Sequence, residues 1–483
     1  MALNEPPVND RTKTIRQIRF LIWTYLILLI FEGALRKWVV PQLSNPLLII
    51  RDPVVIAIFL LALRAGVFSF NRYVVSLWIL GFLSVLVGML VLEPYLPWSI
   101  ILEVTIYGFR CNFLHLPLIF VMANVLDVND VKKFGWFLLV LMLPMCLLMI
   151  VQFEASPDSF INRTVGAGEA QQLTAGSGKI RPPGTFSFVS GAIFYISVTS
   201  AFVLYGAMAK GAYKTWLLLA AGSAVLVSIA VSGSRGCVVS VLLIVMSILV
   251  IFLVKPRAVN QFGRLLLVVV LAASVISRVP ILREGLDVLS ARFTESAEAA
   301  DTTIIKGMLH RTISGFTQGL RNLDKPPLFG YGLGIGTAGG ARFLVGRAAF
   351  LLAEDEWTRV LMESGPIFGL LFLLWRVALT LRIGWTSLVA LARDSLTLPV
   401  LLFGCSFLPL LNGQLGQPTT LGFAAFLNGL CLAAIRSVPV SPDTIEPEQI
   451  TPEPKPLPRR SAYAARLYGS DSGADHTNGL VDR

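Results

Sequence analysis

Charge is scarce in this chain: only 14% of its 483 residues are Asp, Glu, Lys or Arg, against roughly a quarter in soluble domains. That shortage excludes an ordinary soluble fold, which could not hide the apolar surface that remains. Histidine is nearly absent, and His115, His310 and His476 have no metal-ligand spacing. The cysteines Cys111, Cys146, Cys237, Cys405 and Cys431 lie far apart, with no C-x-x-C pair, and read as packing residues. No metal centre of cysteine or histidine is therefore expected, and no cofactor. There is no Gly-Lys-Ser phosphate loop. The first apolar run has no small-x-small cleavage site and continues into Glu32, Arg36 and Lys37, so it reads as a retained anchor.

What is present is hydrophobic: 55% of the residues, with a mean hydropathy of +0.72. A helical span needs about 20 apolar residues. Such stretches recur near 20–35, 46–63, 74–92, 110–126, 134–152, 186–207, 215–232, 237–254, 265–280, 365–381, 395–411 and 419–435. The expected fold is all-α and polytopic, with about twelve transmembrane helices. Short loops on one side carry Arg11, Lys13, Arg16 and Arg19, then Arg64 and Arg72, Lys132 and Lys133, Lys210 and Lys214, Lys255, Arg257 and Arg264, and Arg382 and Arg393. Basic loops resist translocation, which places that side and both termini in the cytoplasm. The net charge of +11 is dispersed over these loops and is not a nucleic-acid surface.

The expected organisation is a cytoplasmic segment 1–19, spans one to nine over 20–280, a large outer loop 281–364, spans ten to twelve over 365–435, and a tail 436–483. The Pro-rich, then Gly/Ser/Asp-rich, tail reads as disordered. It is a place for cytoplasmic partners, such as other polysaccharide export proteins, but no motif in it identifies one.

Two outer segments, about 153–185 and 281–364, exceed the usual short connection and are where function is expected. In the larger, Ile304, Ile305, Met308, Leu309, Ile313, Phe316 and Leu320 recur at helical spacing, as in a helix lying on the membrane or over the bundle. Ten basic residues between Arg278 and Arg359 balance ten acidic ones between Glu284 and Glu363, so any anion site must come from particular arginines. Arg36, Lys37, Arg51, Asp52, Arg181 and Arg235 sit at short outer connections. An arginine at membrane depth costs about 2.5–3.5 kcal/mol. For Arg235 the alternatives are snorkelling to headgroups and bidentate binding of a phosphate.

Four patches together resemble the bacterial O-antigen ligase and O-antigen polymerase superfamily of membrane glycosyltransferases. They are IRPPGTFSF around Arg181, SGSRGCVVS around Arg235, HRTISGFTQGLRNLDKPPLFGYGLGIG from His310 to Gly336, and EDEWTRVLMESGPIFGLL from Glu354 to Leu371. The likeness covers about residues 180–380, and FEGALRKWVVP and RDPVV resemble a subgroup of its relatives. In one respect the chain departs: where ligases carry His-Asn about eleven residues before the Gly of Glu-x-Gly, it has Glu354 and Asp355.

The resemblance implies a GT-C-like layout, with the large loop forming an outer helical lid over a cavity open to lipid. It implies transfer of a glycan from a polyprenyl diphosphate donor to an acceptor sugar hydroxyl, on a further glycan or a lipid, at the outer face. Arg181, Arg235, Arg311 and Arg359 are then candidates for the diphosphate. Glu354, with Asp355 and Glu356 as near substitutes, is the candidate base. The alternative for this acidic cluster is a solvated helix start, and for Glu356 and Arg359 a pair three residues apart. Gly332, Gly334 and Gly336 read as a tight turn that lets backbone approach a neighbour or a substrate phosphate. The lost His-Asn leans toward a polymerase. Competing readings are a lipid-linked glycan flippase or transporter, and a scaffold of an export complex.

Overall fold

The computed structural model describes residues 8–165, 174–176, 178–256, 284–291, 294, 315–347 and 349–436. The chain divides into two units at Val438, and all the described residues belong to the first. The expected span 265–280, the residues 304–314 and the tail from 437 lie outside them.

Helices dominate. In chain order they are α1 (Val8–Ala34), α2 (Asp52–Arg64), α3 (Arg72–Leu92), α4 (Trp98–Phe109), α5 (Leu118–Val125), α6 (Val128–Glu154), α7 (Val189–Met208), α8 (Thr215–Val231) and α9 (Arg235–Val254). Within the expected outer loop lie α10 (Ala338–Val345) and α11 (Glu356–Ser364), and after it come α12 (Leu370–Asp394), α13 (Leu398–Asn412) and α14 (Pro418–Ala433). A two-stranded hairpin, β1 (Thr174–Gly176) and β2 (Lys179–Ile180), precedes α7.

Among the described residues, eight helical stretches are long and apolar enough to cross a membrane, and three shorter apolar helices, α8, α13 and α14, accompany them. These eleven overlap in sequence with eleven of the expected stretches, of which eight are long enough to span. The outward faces are apolar, with Leu253 81% and Phe82 67% exposed, as in a helix bundle bathed in hydrocarbon. The inward faces are apolar too, with Ile22, Phe134, Phe202 and Phe426 buried, and are broken by small residues where helices approach closely. On α14 a Cβ added at Gly429 would meet the Met122 sulfur of α5 at 2.6 Å, so glycine there lets the helices approach.

Side-chain contacts define two ends of the bundle. At the near end Arg64 pairs with Asp10 at 3.0 Å, Arg19 with Asp130 at 3.3 Å and Tyr213 donates to the Lys132 carbonyl at 3.1 Å. The first and last described helices both end here, since Arg436 donates to the Asn124 carbonyl. At the far end Lys37 meets Gly184, Arg51 meets Pro418, and Lys179 pairs with Glu284 at 3.2 Å. Alternation of the helices between the two ends follows from their order. α9 finishes at the near end, whereas Gly285 sits against Ala230 at the far end.

Candidate functional site at the far end of the bundle

The turn carrying Arg181 is gripped from both sides. The end of α1 unwinds into a π-helical turn, Leu35–Val39, which swings Lys37 inward. Its Nζ donates to the carbonyls of Gly184 and Phe186, each at 2.8 Å, while Thr185 Oγ1 donates to the Ile30 carbonyl at 2.7 Å. Gln152 of α6 exchanges two bonds with Gly184, accepting from its N–H at 2.8 Å and donating to its carbonyl at 3.2 Å. Gly33 must be glycine, because a Cβ would overlap the backbone of Thr185 to Ser187. Arg181, partly exposed at the mouth of this turn, is therefore carried on rigid backbone.

Arg235 opens α9 after the sharp bend of Ser232–Ser234, where Gly233 takes φ +53 and Ser232 Oγ accepts the Ser234 N–H at 3.2 Å. Four orphan N–H groups and the positive end of the helix dipole lie at this start. The next residue, Gly236, faces Ile193 of α7. Arg235 and Arg181 thus stand at the same end on neighbouring elements. Arg311 lies outside the described residues.

Arg359 and the acidic cluster divide sharply by environment. Arg359, on α11, is buried: Nε donates to Glu356 at 2.9 Å, Nη1 to Glu363 at 2.7 Å and Nη2 to Asn112 at 3.0 Å. Glu356 is buried as well and also accepts from Arg376 of α12 at 2.7 Å. Asp355 is the N-cap of α11 and accepts the Thr358 N–H at 3.0 Å. Glu354 is exposed, and its backbone carbonyl accepts from the Gln414 amide. Of the three residues, Glu354 is exposed, Asp355 half-buried and Glu356 buried.

The glycine run is a packing device. Gly330, Gly332 and Gly334 all have positive φ, at +76, +118 and +95. The Tyr331 and Gly332 N–H groups donate to the carbonyls of Met362 and Glu363 at 2.8 and 3.0 Å. A Cβ at Gly332 would meet Leu92 at 2.7 Å, one at Gly334 would overlap the Val104 carbonyl, and one at Gly336 would meet Arg359 at 2.8 Å. The space beside these three glycines is filled by protein. Residues 315–321, the end of the amphipathic run, lie on α11, with Phe316 edge-on to Trp357 at 4.8 Å.

A second buried network adjoins the first through Arg110–Asn112. Glu32 accepts from Arg36 at 3.3 Å and Arg51 at 3.1 Å, and Asp52 accepts from Arg110 at 2.5 Å and His115 Nε2 at 2.8 Å. An ionised carboxylate only accepts, so Nε2 carries the ring proton, and His115 Nδ1 accepts the Tyr25 hydroxyl at 2.9 Å. None of Tyr25, Glu32, Arg51, Arg110, Asn112, His115, Glu363 and Arg376 was a sequence candidate for the site. The available signal was an ionisable group inside an apolar span, which in a membrane protein needs a partner or a purpose.

Charge in these joined networks does not cancel. Arg36, Arg51, Arg110, Arg359 and Arg376 are each at most 5% exposed, while the carboxylates among them are Glu32, Asp52, Glu356 and Glu363. Five guanidinium groups face four carboxylates, and Lys37 stands apart on the Gly184 and Phe186 carbonyls. Such an excess in a poorly solvated setting attracts anions. Among the described residues no three His, Cys, Asp or Glu side chains form a metal-holding group. No protein-family model matches this chain, and no curated protein matches it either.

Proposed function

We propose that this chain is a glycosyltransferase of the bacterial inner membrane that moves a glycan from a polyprenyl diphosphate donor to an acceptor sugar hydroxyl at the outer face, as a polysaccharide polymerase or ligase. The observation that carries the reading is the excess of buried positive charge at the far end, beside Arg181 and Arg235 on their fixed turns. As the sugar–phosphate bond breaks, negative charge builds on the leaving diphosphate, and preplaced guanidinium groups stabilise it. Arg181 and Arg235 take this role, with Arg311 as the sequence-based third member. Arg359, held by two carboxylates, instead shapes the wall of the site. Glu354 is the carboxylate that accepts the acceptor hydroxyl's proton, since Asp355 caps a helix and Glu356 bridges two arginines.

In this reading the near end, with its basic loops, is cytoplasmic, twelve spans cross the membrane, and the far end faces outward. The test is glycan transfer by the purified protein in lipid, with a polyprenyl diphosphate oligosaccharide as donor. Arg181→Ala and Arg235→Ala are each expected to lower the rate on the order of 100-fold, as loss of a charge-stabilising donor does elsewhere. Glu354→Gln is expected to fall with them. Absence of product with every acceptor offered would sink the enzyme reading.

One observation favours a second reading, a lipid-linked glycan flippase. The stretch Trp98–Val125 is broken between α4 and α5 by a π-helical turn, Arg110–Leu114, that carries buried Arg110 and Asn112 and is followed by buried His115. Broken spans bearing polar groups are a transporter feature. Movement of the donor between leaflets without transfer would decide for it.

A further inference from the structure

Among the described residues, two buried donor atoms at the far end have no protein partner. Arg36 directs Nε to the Ser44 carbonyl at 2.9 Å and Nη1 to Glu32 at 3.3 Å and Ser187 at 3.2 Å. Its Nη2 has no hydrogen-bond partner among the described residues, although the side chain is 5% exposed. The Tyr107 hydroxyl is likewise unpartnered among the described residues, on a residue 8% exposed. Neither atom is among those sealed from solvent, so both face accessible space. A polar group held this deep without a partner is costly unless something else meets it.

The surroundings are rigid and positive. The Tyr107 ring is fixed by the Arg110 guanidinium at 5.2 Å, by Phe343 at 6.2 Å, and by Gly339, where a Cβ would overlap the ring. Arg36 and Tyr107 adjoin the same segment, Ser44–Leu48: Arg36 through the Ser44 carbonyl, and the Tyr107 ring through Arg110, which reaches the Leu48 carbonyl. The segment Ser44–Leu48 is held by three arginines from three elements: Arg36 at Ser44, Arg342 at the Asn45 side chain, and Arg110 at the Leu48 carbonyl at 2.7 Å. The nearby carboxylates are already shared, Glu32 between Arg36 and Arg51, and Asp52 between Arg110 and His115.

We infer that Arg36 Nη2 and the Tyr107 hydroxyl form an oxyanion site that takes a phosphate group. A planar guanidinium edge beside a hydroxyl suits tetrahedral phosphate oxygens, and an anion matches the excess of positive charge. Exposed Val39, Leu43 and Phe343 flank the site, which suits a phosphate carried on a lipid, although the same donors would hold a free diphosphate. The site goes beyond the transferase reading, which uses Arg181 and Arg235, and stands or falls without any sugar transfer.

The experiment is a binding titration of the full chain in phosphatidylcholine nanodiscs, followed by native mass spectrometry. One arm adds inorganic pyrophosphate, and the other dopes the disc with phosphatidic acid. Tyr107→Phe removes a hydroxyl with no protein bond to lose, so the melting temperature should hold while phosphate binding weakens about tenfold. Arg36→Lys keeps a cation opposite Glu32 but loses the free nitrogen, and should weaken binding similarly. Retention in the phosphatidic acid arm alone identifies a lipid phosphate, and retention of pyrophosphate a free one. Either supports the site if Tyr107→Phe reduces it. No retention in both arms, or retention indifferent to Tyr107→Phe, overturns the inference. Phosphate held through Tyr107 by a protein that transfers no sugar would keep the site and sink the transferase.

Discussion

Arg376 on α12 donates to Glu356 on α11 at 2.7 Å, with neither side chain exposed to solvent. The other nitrogens of Arg376 donate to the Leu410 and Gly413 carbonyls at 2.7 and 2.9 Å, so it also caps the end of α13. Glu356 accepts, in addition, from Arg359 and the Leu415 N–H. One carboxylate thus ties α11, α12 and the loop after α13 together. Removing it leaves Arg376 buried without its counter-charge and Arg359 with Glu363 alone, a loss of about 3–5 kcal/mol. Glu356→Ala should therefore lower the melting temperature and the yield of folded protein. Glu354→Gln, at an exposed position, should change stability by no more than about 0.5 kcal/mol while reducing transfer. Scanning fluorimetry on both variants checks the contrast, and a normally stable Glu356→Ala protein would contradict it.

Lys37 supplies a second test, because its ammonium bridges two carbonyls of the turn that bears Arg181. With Lys37→Met, the Phe186 carbonyl loses its donor, while Gly184 keeps the Gln152 amide. The expected loss is about 1–3 kcal/mol, concentrated in the turn. A spin label at position 181 should become more mobile in the Lys37→Met background, and an unchanged spectrum would show that the turn holds itself.

Gly334 and Gly346 share a left-handed backbone, at φ +95 and +75, but differ in space. Nothing lies within 4 Å of a Cβ at Gly346, so Gly346→Ala should cost only the conformational penalty of about 1–2 kcal/mol. At Gly334 the same methyl overlaps the Val104 carbonyl of α4, and the loop must move. Gly334→Ala should be the more damaging, visible as a larger drop in melting temperature.

The fold was legible because each span is a continuous apolar run, and lipid rewards that pattern wherever it occurs. Boundaries were less so: the helical stretch expected at 110 begins at Trp98 and carries Glu103 within it, and the stretch expected over 365–381 runs from Glu356 to Asp394. The charged network was legible only as a set of misplaced ions. Arg51 meets Pro418 across 367 residues and Arg359 meets Asn112 across 247, and no local spacing encodes such pairs. The Glu356–Arg359 pair was visible because it is helical and three residues apart.

The direction of the bundle can be measured with little background, since all five native cysteines are buried and free. Glu93 is exposed between α3 and α4 at the far end, and Lys210 is exposed between α7 and α8 at the near end. If basic loops mark the cytoplasm, a membrane-impermeant maleimide should label Glu93→Cys in intact cells and Lys210→Cys only after lysis. The reverse result would turn the far-end arginines toward the cytoplasm. Transfer at the outer face would then be untenable, because Arg181, Arg235 and the excess buried charge all lie at that one end.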